Sequence, residues 1–165
     1  MLNIFNNLHL FFEDNYREIN VREYARLMKI SAPTASKHLF MFEKEGVLIS
    51  RKDKNYILFR ANRTNPSFID LEKAYFRIVL EQLSSYLHEK INYNAVILFG
   101  SLIKGEVTIS SDVDIYLDSK QKDMQVLDFE KKLNRKIQLH FKNSLENESL
   151  RNNISKGLLL KGQMI

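Results

Sequence analysis

The sequence predicts a mixed α/β (α+β) chain built in two parts and joined by a long helix, and three observations carry that prediction. Residues 2–60 place apolar side chains at helical spacing and end in two strand-like runs around a charged turn. "ANRTNPSF", Ala61 to Phe68, is polar, contains a proline and lacks apolar periodicity, which sets a boundary near Pro66. Further on, "NAVILFGS" reads as a buried strand and "DVDIYL" as a strand by alternation.

Composition narrows the class. The 165 residues are 44% hydrophobic, enough to bury the core of one domain or of two small ones. With no cysteine, disulfides and thiolate zinc sites are excluded, and His9, His38, His88 and His140 are too dispersed for a metal cluster. No apolar run approaches the roughly 18 residues that cross a bilayer, and no N-terminal signal pattern is present, so a cytoplasmic protein without membrane contact is expected. The net charge of +5 is unevenly placed. Up to Pro66, eleven Lys and Arg stand against seven Asp and Glu; beyond it, fourteen stand against thirteen, so the excess base lies in the first part.

Taken in order, "LNIFNNLHLFFED" places Ile4, Leu8, Phe11 and Phe12 on one helical face. "NVREYARLMK" fits a second helix capped by Asn20, with Val21, Ala25 and Met28 on one side. In "ISAPTASKHLFMFEKEG", Ser31 is the candidate cap, Pro33 suits the first turn and Gly46 the stop. "VLISRKDKNYILFRA" then reads as a hairpin around Arg51 to Asn55. From about Leu2 to Arg63 this layout resembles a winged helix-turn-helix domain. The resemblance implies that the third helix enters the DNA major groove while the wing touches phosphates, with Ser31, Thr34, Ser36, Lys37, Arg51, Lys52 and Lys54 as the contact surface. Small hydroxyl residues permit close approach, and the cations neutralise phosphates. Winged helices also serve as protein-docking modules; the coincidence of base excess, helix start and wing favours DNA.

"SFIDLEKAYFRIVLEQLSSYLHEK" follows, with Ile69, Phe76, Leu80, Leu83 and Leu87 along one stripe of a single linking helix over residues 67–92. That stripe serves either as core or as the seam of a homodimer.

The chemistry concentrates between Ile97 and Leu117. Asp112 and Asp114 flank Val113 and project from one strand face, where their mutual repulsion calls for a cation. With no Lys or Arg beside them, a divalent ion with oxygen ligands, magnesium or manganese, is the economical partner. Upstream, a strand ends at Gly100 and a helical turn starts at Ser101, offering backbone N–H groups and a hydroxyl to phosphate. The full string, Gly100-Ser101, Lys104-Gly105-Glu106 and Ser111-Asp112-Val113-Asp114-Ile115, resembles the signature of minimal nucleotidyltransferases of the polymerase-beta superfamily, over residues 93–165.

That resemblance implies a nucleoside triphosphate held by Gly100, Ser101, Lys104 and Ser111, and two Mg2+ (or Mn2+) ions held by Asp112 and Asp114 for in-line transfer. Two departures stand out. Leu102 occupies a position that is usually arginine, and Gln138, in "RKIQLHF", replaces the third carboxylate that helps activate the attacking hydroxyl. His140 shares the face of Gln138 and is a candidate base, and Glu130 a candidate carboxylate. Two function classes follow. One is a DNA-binding regulator that binds the metal-nucleotide and has weak or no turnover. The other is an active enzyme that transfers a nucleoside monophosphate to a hydroxyl of a protein, RNA or small molecule, a toxin-like protein partner among the candidates.

Overall fold

The structure is a computed structural model that describes residues 3–91 and 94–163. The chain forms two compact units, Met1–Tyr75 with Gly105–Ile109, and Phe76–Lys104 with Ser110–Ile165.

In the first unit, α1 (Asn3–Glu13) buries Phe5, Leu8, Phe11 and Phe12. A two-residue strand, β1 (Ile19–Asn20), leads into α2 (Val21–Met28), whose Asn20 cap accepts from the Glu23 N–H. Lys29, in the left-handed region at φ 54°, ends α2 and turns the chain towards α3 (Ala32–Lys44). The Ser31 side chain caps α3 through the Thr34 N–H, Pro33 stands in its first turn, and Gly46 follows it at φ 74°. Strands β2 (Leu48–Asp53) and β3 (Tyr56–Ala61) pair antiparallel around a two-residue turn at Lys54 and Asn55, and β1 adds to β3. Arg51 and Lys52, expected in the turn, therefore lie within a strand. An aromatic cluster closes the core, with the Phe12 ring 5.3 Å from Phe68 and 5.1 Å from Tyr75.

The linking segment departs from expectation. It forms two helices, α4 (Pro66–Val79) and α5 (Glu81–Lys90), separated at Leu80, where φ −90° and ψ 5° leave the helical region. Hydrogen bonds from Leu80 N–H to Phe76 O and from Ser84 N–H to Leu80 O continue through the bend, so apolar spacing survives it. Phe76, Leu80, Leu83 and Leu87 are all buried within the chain, so this part of the stripe is core and offers no exposed seam. The division between the two units falls inside α4, after Tyr75.

The second unit is built on a four-stranded mixed sheet in the order β6-β5-β4-β7. Strand β4 (Val96–Phe99) pairs antiparallel with β5 (Val113–Leu117) and β7 (Leu158–Lys161), and β5 is parallel to β6 (Ile137–His140). The parallel pair requires a crossover, supplied by α6 (Leu127–Leu133). Alternation puts Val96, Leu98, Val113, Ile115 and Leu117 on one face, all buried. On the other face Ala95, Ile97, Phe99 and Tyr116 form a smaller cluster with Ile154 of α7 (Glu148–Ser155). That second face carries the candidate site. Among the described residues no helix is long and apolar enough to cross a membrane.

Candidate functional site

The site stands where β4 ends and β5 begins. Gly100 follows β4 at φ 83° and ψ −154°, a conformation open essentially only to glycine, and a Cβ there would overlap Asp114 Oδ2. The strand needs this glycine so that its backbone can pass directly beside the carboxylate. Ser101 opens a 3-10 turn (Ser101–Ile103) in which Leu102 and Ile103 are buried. Leu102 has no exposed surface, so its side chain serves the core and the phosphate contact of an arginine is absent. Lys104 is exposed, with its Nζ 3.0 Å from Asn153 Oδ1 on α7.

Asp112 and Asp114 flank buried Val113, and the register pairs Asp114 with Phe99 on one side and Gln138 on the other. Asp114 lies in β5, whereas Asp112 stands one residue before it. Gln138 Nε2 donates to Asp112 Oδ2 at 2.6 Å, so a neutral amide sits directly against one of the two carboxylates. His140 Nε2 lies 3.8 Å from Asp114 Oδ1, beyond hydrogen-bond length, and is buried without a hydrogen-bond partner among the described residues. The edge of its ring rests on Phe99, 5.1 Å between centroids. Burial holds the Asp114 carboxyl above its usual range; His140 and Lys104 pull it down, and Asp112 pushes it up.

The other candidates are accounted for structurally. Glu130 Oε1 accepts the Ile137 N–H at 2.9 Å, which fixes the start of β6 and commits this carboxylate away from catalysis. Ser111 O accepts from Arg135 Nη1 at 2.8 Å, an anchor for the segment entering β5 that sequence reasoning missed.

In the first unit, Ser31, Thr34 and Lys37 are exposed at the start of α3, and Ser36 is half-buried. Ser31 Oγ and Thr34 Oγ1 are hydrogen-bonded at 2.8 Å. Lys52 and Lys54 are exposed on the hairpin. Arg51 is held by both Glu18 oxygens, at 2.7 and 2.5 Å, and Asp53 lies 3.7 Å away, so its charge is locally matched.

Asp112 stands just before β5 and Asp114 within it, next to a glycine that admits the backbone and a serine that opens a turn. Residues 81–164, just over half of the chain, match the family described as polymerase beta, nucleotidyltransferase, and the chain belongs to that family. No curated protein sequence matches the chain.

Proposed function

We propose that the protein is a DNA-binding regulator whose nucleotidyltransferase-fold domain binds a magnesium- or manganese-nucleoside triphosphate with transfer activity weakened or lost. The observation that carries this reading is the Gln138 amide donating to Asp112 at 2.6 Å. An amide in that position neither accepts a proton nor ligates magnesium strongly, so activation of an attacking hydroxyl lacks its carboxylate.

Nucleotide binding is supported by what remains. Among the described residues no group of three His, Cys, Asp or Glu could hold a metal ion. Magnesium is commonly bound by one or two carboxylates with substrate phosphates and water completing the shell, and Asp112 with Asp114 fits that division. The ion, when bound, supplies charge neutralisation between carboxylates and triphosphate. Ser101 and the backbone after Gly100 would orient the phosphates, and Lys104 would add a cation. DNA binding is supported by the order α1-β1-α2-α3-β2-β3, by hydroxyl residues and Lys37 exposed at the start of α3, and by Lys52 and Lys54 on the hairpin.

Calorimetric titration of each magnesium-nucleoside triphosphate tests the site, with Asp112→Ala/Asp114→Ala as control. Heat that disappears in the double variant is expected; equal heats in both proteins would remove these carboxylates from the site. A second reading, an active transferase, is favoured by His140, whose Nε2 lies 3.8 Å from Asp114 Oδ1 and has no hydrogen-bond partner among the described residues. It requires that α-labelled nucleotide pass to a protein, RNA or small-molecule hydroxyl, and that His140→Ala abolish transfer while nucleotide binding persists.

A further inference from the structure

The two halves of the nucleotide signature are joined by a segment that packs in the other unit. Gly105–Ile109 belongs to the N-terminal unit, whereas Ser101–Lys104 before it and Ser111–Asp114 after it belong to the second. The segment is held by two buried polar side chains, Glu72 of α4, with no exposed surface, and Asn15, 1% exposed. Glu72 Oε1 accepts from Asn15 Nδ2 at 2.6 Å, and Glu72 Oε2 accepts from the Gly105 N–H at 3.1 Å. Asn15 Nδ2 also donates to Phe11 O, and Asn15 Oδ1 accepts the Val107 N–H at 2.7 Å. The Asn15 N–H donates in turn to Val107 O at 2.9 Å, so Val107 is gripped through both of its backbone groups. Gly105 completes the fit: its φ is 68°, and a Cβ there would come within 2.8 Å of Arg63 O.

Both N–H groups of the Asn15 side chain are used, by Phe11 and Glu72, its oxygen accepts from Val107, and both Glu72 oxygens have donors. Such a cluster specifies one position for the segment, because a buried polar group left unpaired is costly. Covalent reach transmits that position. Consecutive Cα atoms are about 3.8 Å apart, so Lys104 stays next to Gly105, and Asp112, three residues beyond Ile109, stays within roughly 11 Å of it.

We propose that Asn15 and Glu72 are positioning residues for the nucleotide site, holding the segment that joins its two halves so that nucleotide binding and the order of this segment are linked. The inference rests on the magnesium-nucleotide reading above and adds its regulation by the N-terminal unit. Linkage is reciprocal: a ligand that orders Ser101–Lys104 and Ser111–Asp114 also tightens the hold on residues 105–109.

Amide hydrogen exchange of the full chain, with and without saturating magnesium and each of ATP, GTP, CTP and UTP, tests the linkage. Slower exchange is expected at residues 101–104 and 111–114, and also at Asn15, Gly105 and Val107. Slowing confined to the first two stretches would overturn the inference while leaving the nucleotide site intact. No slowing with any nucleotide would overturn the nucleotide reading and this inference with it. Glu72→Gln supplies the second arm. An amide at this position turns an N–H towards either Asn15 Nδ2 or the Gly105 N–H, so one bond is lost with little change in volume. The variant is expected to melt cooperatively, to bind magnesium-nucleotide severalfold more weakly, and to lose the protection of Asn15 and Val107. A merely structural role would lower the melting temperature and leave nucleotide affinity unchanged, and that result overturns the proposal.

Discussion

Glu72 is a carboxyl with no exposed surface, and burial pushes it up to about 7, against the opposing pull of its bonds from Asn15 and Gly105 and of the Lys73 charge. The folded chain therefore keeps this proton to higher pH than the unfolded chain, whose ordinary value is 4.5. Between those values the folded state binds more protons, so this contribution is most favourable below pH 4.5 and is lost as pH rises to about 7. The loss is on the order of 3 kcal/mol at full ionisation. Urea denaturation across that window should show the wild type losing stability relative to Glu72→Gln, and parallel pH profiles would refute the burial argument. Gly100 is the second decisive residue. Gly100→Ala places a methyl group on Asp114 Oδ2 at a positive φ, so magnesium-nucleotide binding should disappear from a protein that still folds. Calorimetry at the affinity of the wild type checks it. Gly100, Asp112 and Asp114 fall in one short local string, so their proximity is legible in the sequence, and Gln138 is legible as a departure on the neighbouring strand. Leu102 in the core, Glu130 on the Ile137 N–H and the Asn15–Glu72 pair are not, since each is decided by a neighbour that local spacing does not reveal.

Elements with local punctuation were read correctly. Asn20 and Ser31 cap the helices they precede, Gly46 follows α3 in the left-handed region, and a charged turn separates β2 from β3. The break between α4 and α5 carries no such mark: Leu80 is an ordinary helix former, and the apolar spacing runs through it. The hairpin shows how an element's charges differ in availability. Lys52 and Lys54 are exposed, whereas Arg51 is held bidentate by Glu18, which raises the proton affinity of Arg51 and lowers that of Glu18. Neutralising Lys52 and Lys54 together should reduce the slope of log affinity against log salt for duplex DNA by about two, at about 0.9 per phosphate contact. Arg51→Ala should change that slope less. Fluorescence anisotropy at several salt concentrations separates the two, and an equal effect of Arg51 would mean that its pair with Glu18 opens on DNA.

At the scale of the whole molecule, the boundary suggested by composition and the division made by packing differ in consequence. Pro66 follows a polar stretch and opens α4, yet the first unit continues to Tyr75 and takes in residues 105–109. A fragment of residues 67–165 would therefore keep the whole family match, residues 81–164, and lose what holds part of it. Phe68 and Tyr75 would be stripped of Phe12, and Glu72 of Asn15. Val107 would lose both of its backbone bonds to Asn15, while the bond from Gly105 to Glu72 lies within the fragment. Exposing two large aromatic side chains costs roughly 1.5–3 kcal/mol each, a large share of the 5–15 kcal/mol that stabilises a typical domain. The fragment is expected to melt at lower temperature and less cooperatively than the full chain, and to bind magnesium-nucleotide more weakly, although every residue of the candidate nucleotide site is present. Circular dichroism melting and calorimetry on the two proteins decide it. A fragment that melts cooperatively and binds nucleotide as the full chain does would show that residues 105–109 hold their position without the N-terminal unit, and that the site is complete in the second part alone.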